Sequence, residues 1–131
     1  MNKKEIAKKW QVIEEKINDF EYTNAIYTKK SLDFLFSVNE EKKITLSFSG
    51  LVPFYSVTDE SCFNDTLNHR EGLRGCGFYT IENSRLIDRY QKESMGIFEH
   101  GGYPLPIHIS IVTFTEIVDI IFPELPKIEI N

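Results

Sequence analysis

Apolar residues recur along this chain with two different periods. Ile6, Trp10, Ile13, Ile17 and Phe20 are spaced by four and three, with Lys, Glu, Gln and Asn filling most positions between them. That spacing predicts an amphipathic N-terminal helix. Lys3, Lys4, Lys8 and Lys9 near its start and Glu14, Glu15 and Asp19 near its end oppose the helix dipole, each costing on the order of a few tenths of a kcal/mol. Such a helix depends on docking its apolar stripe, here expected to face the core. From Ser31 the period changes to two. Leu32, Phe34, Phe36 and Val38 alternate with polar residues, and after the run Asn39 to Lys43 the alternation resumes at Ile44, Leu46 and Phe48. A β-hairpin follows. Cross-strand partners share a face, so two apolar sets on even numbers require partner numbers with an even sum, hence a loop of three or five residues. Pairing Val38 with Lys43 would turn one apolar face to water.

Gly50 separates this hairpin from Leu51 to Val57 too tightly for a turn, which predicts one bent strand with a bulge near Gly50 and, because of Pro53, an edge position. Thr58-Asp59-Glu60-Ser61 offers capping oxygens to a short helical segment carrying Phe63 and Leu67. The Gly72, Gly75 and Gly77 loop leads into a strand from Phe78 to Glu82, and Asn83 or Ser84 can cap a helix bearing Leu86, Ile87 and Tyr90. A second loop runs from Gly96 to Pro106. Ile107, Ile109 and Ile111 then alternate with His108, Ser110 and Val112, as in a half-buried strand. Residues 115–122 fit two readings. Thr113 and Glu116 suit a capping box with Pro123 ending a helix, whereas the density of β-branched residues favours a strand, which we take. Ile128 and Ile130 in the tail fit a loop or a short edge strand. The fold expected is therefore α+β: one domain over residues 1–131, an antiparallel sheet of about five strands, an N-terminal amphipathic helix and one or two shorter helices.

Composition narrows the function. The 131 residues are 41% hydrophobic, with ten Phe, six Tyr and one Trp, enough for a core without metal or disulfide staples. A net charge of -5 argues against general nucleic-acid binding and against docking on an anionic membrane. The N-terminus lacks the continuous apolar region of a signal peptide, and no stretch reaches the ~18 apolar residues of a membrane span. Cys62 and Cys76, fourteen positions apart, match no zinc or disulfide spacing and suggest a reducing, cytoplasmic setting.

Candidate chemistry is sparse. The glycine loop precedes a strand, whereas nucleotide-binding loops follow one. Cys76 with His69 or His108 has the residue types of a thiolate–imidazolium pair. Glu99-His100, His108 and Asp119 offer metal-ligand atoms, but in no HxH or HExxH spacing. Neither a cofactor nor a metal is expected. Tyr27, Tyr55, Tyr79 and Tyr103 lie in or near predicted edges and loops, where tyrosine anchors protein contacts.

Three blocks carry a resemblance: Leu46 to Ser61, Phe78 to Tyr90, and Ile107 to Ile121. Together they resemble small uncharacterised proteins of low-GC Gram-positive bacteria, over roughly the C-terminal two-thirds of the chain. The resemblance implies no established activity, but it extends to small acidic bacterial proteins that serve as immunity partners of secreted toxins. The function expected is a non-catalytic cytoplasmic protein-binding module, with Tyr55, Glu60 and His108 as binding residues. The alternative is an enzyme or small-ligand binder using Cys76, His108 or the Glu99-His100 loop. A third reading is a homodimer through the Pro53 edge or an exposed helix stripe.

Overall fold

A computed structural model describes residues 4–50, 52–63, 68–94 and 105–131 of the chain. They form two facing sheets. The first has six strands, β1 (Glu5–Lys9), β5 (Phe54–Asp59), β6 (Arg70–Glu71), β7 (Gly77–Glu82), β8 (Ile107–Val112) and β9 (Glu116–Phe122), in the order β5-β9-β8-β7-β1-β6. The second has β2 (Phe20–Tyr27), β3 (Ser31–Val38), β4 (Lys42–Ser49) and β10 (Lys127–Ile130), in the order β10-β4-β3-β2. Helix α1 (Arg85–Glu93) and a 3-10 turn (Glu60–Cys62) also form among the described residues.

The hairpin β3–β4 obeys the parity argument. Phe34 faces Leu46, Phe36 faces Ile44 and Val38 faces Lys42, leaving a three-residue loop. Leu32, Phe34, Phe36 and Val38 on one strand and Ile44, Leu46 and Phe48 on the other are consequently buried in the core. The loop turns through left-handed backbone at Asn39 (φ 53°) and Glu40 (φ 60°). Asn39 is fixed by its side chain: Oδ1 accepts from the N–H groups of Asn18 and Asp19, and Nδ2 donates to the Lys16 carbonyl. Glu40 is exposed, and no side-chain bond among the described residues compensates its conformation. Glu40→Gly is expected to raise stability by about 0.5 kcal/mol and Tm by roughly 2 °C, measured by thermal unfolding.

The expected N-terminal helix is not formed. Residues 5–9 are a strand inside the first sheet, paired with β6 on one side and β7 on the other, and residues 10–19 run irregularly to β2. The apolar residues that suggested the helix are still used: Ile13 and Phe20 are buried in the core, and Trp10 and Ile17 pack against it. The charges of this segment oppose a helix dipole, while sheet neighbours, the Phe78 carbonyl (2.8 Å from Trp10 N) and Asn39 satisfy its backbone instead. Helical spacing is a weak prior when tertiary partners compete.

The α+β assignment with about five strands is likewise overturned, since 53% of the described residues are strand and 13% helical. Part of the error lies at Gly50. The chain does not bend there within one strand. With φ at +95° and its N–H bonded to the Lys30 carbonyl, Gly50 ends β4 and sends the chain across to the other sheet, where β5 pairs with β9. β5 is an edge strand, as Pro53 implied.

Residues 107–112 form the expected strand, but it is buried on both faces from His108 to Val112 instead of half-buried; other C-terminal expectations hold. Asp59 accepts from Ser61 N–H at the start of the 3-10 turn, Ser84 caps α1, residues 116–122 are a strand, and the tail forms an edge strand. Leu67 and loop positions 96–104 lie outside the described residues. The Thr113 hydroxyl does accept from Glu116 N–H at 2.9 Å, as in a capping box. Here that bond closes the turn between β8 and β9.

Aromatic rings join the sheets. Phe78 of the first sheet meets Phe20 (5.1 Å) and Phe36 (6.1 Å) of the second, Tyr55 meets Phe34 (5.3 Å), and Phe122 meets Phe48 (5.1 Å). The opposite, outer face of the six-stranded sheet holds a smaller apolar cluster of Ala7, Tyr79, Ile81, Val112 and Ile117 beneath Phe63 and Leu73. Gly72 (φ +88°) lies so close to β1 that an added Cβ would stand 2.4 Å from the Ala7 carbonyl oxygen. Only glycine lets β6 close against β1 there.

Candidate functional site

Sheet register dictates a polar centre on this outer face. Ser110 of β8 lies opposite Asp119 of β9, which lies opposite Ser56 of β5, and His108 is one row away, opposite Ile121. Glu5 joins from β1, Arg70 from β6 and Ser84 from the start of α1. All are buried or nearly so.

Arg70 is the hub. Its Nε donates to Glu5 Oε1 (3.3 Å), Nη1 to Ser110 Oγ (2.9 Å), and Nη2 stands 3.0 Å from Asp119 Oδ1. Glu5 Oε2 in turn accepts from Arg85 N–H at 2.9 Å. The Glu5 carboxylate thus binds the guanidinium and the positive end of α1 together. On the other side of the hub, Ile87 N–H donates to Ser84 Oγ (3.0 Å), Ser84 Oγ lies 2.7 Å from His108 Nδ1, and His108 Nε2 lies 2.7 Å from Asp119 Oδ1. One proton arrangement satisfies this chain: the serine hydroxyl donates to Nδ1, and the Nε2 proton is given to Asp119. No buried side-chain polar atom among the described residues lacks a partner. Burial pushes the Asp119 carboxyl up, but the hydrogen bond from His108 and the Arg70 charge outweigh it and hold the pKa below its ordinary value.

Serine, histidine and aspartate in a row is the order used for nucleophilic hydrolysis. The surroundings here suit another role. Ser84 is 5% exposed, its oxygen already accepts the α1 capping bond, and it does not line the neighbouring groove. The chain of bonds therefore fixes α1 and Arg70 on the sheet. His108 and Asp119, each considered above as a metal ligand, do meet. The third group between them is the Arg70 guanidinium, whose Nη2 is 3.4 Å from His108 Nε2. Among the described residues no three His, Cys, Asp or Glu side chains are grouped to hold a metal; Glu99 and His100 lie outside those residues.

Above this centre is a groove of about 470 Å³ lined by Glu5, Phe54, Ser56, His69, Arg70, Arg85, Leu86, Arg89 and Asp119. Three of the chain's four arginines converge on it. Arg70 forms part of its floor. Arg85 and Arg89 are exposed on α1, and Phe54 and Leu86 supply apolar walls.

The remaining candidates separate. Cys76 packs half-buried against the main core, lining a different groove with Trp10 and Ile13, and burial pushes its thiol pKa up, away from a reactive thiolate. His108 lies on the outer face of the sheet, 1% exposed, with both ring nitrogens engaged. Tyr55 and Glu60 are exposed at β5 and just beyond it. Sequence reading missed Arg70, Arg85 and Arg89. A signal existed: all four arginines fall between positions 70 and 89, where there is no lysine, although lysine supplies the other eleven cationic residues. Arginine is the residue suited to buried forks and bidentate recognition. Among the described residues, no helix is long and apolar enough to cross a membrane. No family model, curated protein or solved structure matches this chain.

Proposed function

We propose that the protein is a non-catalytic, cytoplasmic binding module that recognises an acidic segment of another protein through the arginine groove. The observation that carries this reading is the convergence of Arg70, Arg85 and Arg89 beside Phe54 and Leu86 on a chain of net charge -5. Arginine beside an apolar wall is the composition of interface hot spots, where a fork donates to carboxylates and its flat face packs on hydrocarbon. Preorganisation supports it too. Arg70 is already held by three partners, so little conformational freedom remains to be lost there on binding. An immunity-type partner of a bacterial toxin is the version of this reading that the sequence resemblance suggests.

The test is parallel affinity purification, from the native host, of the tagged protein and its Arg85→Glu/Arg89→Glu variant at low and high salt. A stoichiometric protein retained by the first, lost from the second and released by salt is the expected result. A partner held equally by both, or none with either, would sink the reading.

A further inference from the structure

Four strands form the edges of the two sheets, and three of them carry ordinary protection against pairing. β6 has two residues, β10 has four and includes Lys127 and Glu129, and β2 carries Glu21 and breaks register between Tyr22 and Asn24. β5 has only Pro53 before its first residue and Asp59 at its last. It runs in unbroken register with β9, is uncharged from Phe54 to Thr58, and exposes Phe54, Tyr55 and Val57 at 40%, 43% and 43%. Among the described residues no strand pairs with its outer side. Natural proteins rarely leave such an edge unmanaged, because its free N–H and C=O groups template another strand.

We infer that the occupant of this edge is a second copy of the chain, joined antiparallel through β5 about a two-fold axis into one twelve-stranded sheet. Charge complementarity selects that partner. The two ends of β5 differ: Arg89 of α1, with Glu93 as its present partner, flanks Phe54, while Asp59 and Glu60, both exposed, close the far end. A two-fold axis normal to the sheet makes facing residues share a side, so the strands pair about Ser56 or Val57. Either register sets Glu60 of one copy against position 52 or 54 of the other, within range of Arg89, and symmetry makes that contact twice. Parallel pairing would set like charges together. The present partner of Arg89 is Glu93 at 3.0 Å, an exposed pair along α1 that gives way readily. The dimer thereby adds an acidic residue from the second copy to the rim of each groove.

The inference rests on the strand edge and shares only Arg89 with the proposed function. The experiment is sedimentation equilibrium with light scattering on the full chain. Wild-type protein is expected at twice the 15.3 kDa chain mass. Val57→Lys, which sets two ammonium groups at the axis, is expected to be monomeric with an unchanged circular dichroism spectrum. Glu60→Arg or Arg89→Glu alone should weaken the dimer roughly five- to thirtyfold, and combining them should restore it. A monomer at millimolar concentration would overturn the inference, as would a dimer indifferent to Val57→Lys and to the single reversals. Arg85→Glu should leave the dimer intact, so loss of a heterologous partner in that variant would be separable from loss of self-association.

Discussion

Replacing Arg70 by Met is expected to destabilise the protein by about 3–5 kcal/mol, measured by urea unfolding at neutral pH, because it strips two buried carboxylates of their common cation. Glu5 loses its Nε donor, Asp119 loses the nearest positive charge, and Ser110 loses a 2.9 Å bond. Arg70→Lys keeps the charge but cannot reach three acceptors with one fork, so an intermediate loss is expected. The pH dependence supplies a second readout. In the wild type the folded-state pKa of Asp119 is depressed despite the opposing effect of burial, through His108 and Arg70. Its contribution is therefore fully present above the unfolded carboxylate value of about 3.9 and is lost as pH falls through the lower folded value. Without Arg70 burial meets less opposition, so the folded value rises and acid unfolding begins at higher pH. An Arg70→Met protein with unaltered stability and acid midpoint would remove the hub from this account.

Phe78→Ala should cost about 3–5 kcal/mol through lost burial and the cavity left behind. The ring is 2% exposed and meets Trp10, Phe20 and Phe36, so it joins both sheets and the irregular segment before β2. Phe78→Leu, which keeps much of the volume, should cost under half as much. Differential scanning calorimetry on the pair measures both values. Equal losses from the two variants would mean that ring contacts matter and cavity size does not.

The β3–β4 register was legible because only one parity keeps Leu32 to Val38 and Ile44 to Phe48 on the same buried face. The caps at Asp59 and Ser84 were legible because their chemistry is local. The N-terminal segment was not, since its fate depends on ladder partners in β6 and β7, some 65 to 76 residues away. The site shows the same limit more sharply. His108 and Asp119 attracted attention as isolated residue types, but Arg70 gains its meaning from bonds to residues 65 and 40 positions distant. No local pattern encodes that convergence; the arginine-for-lysine bias of residues 70–89 was its only trace.

The buried network also bears on how this sequence can drift. Glu5, Arg70, His108, Ser110 and Asp119 share one set of bonds, so losing a charged member strands its partners, whereas replacing the whole group with apolar residues of similar volume need not cost stability. Single substitutions would cross a deep valley between two viable states. Descendants of this chain should therefore inherit the five residues as a set or have exchanged all of them for hydrocarbon, and mixed combinations should be rare.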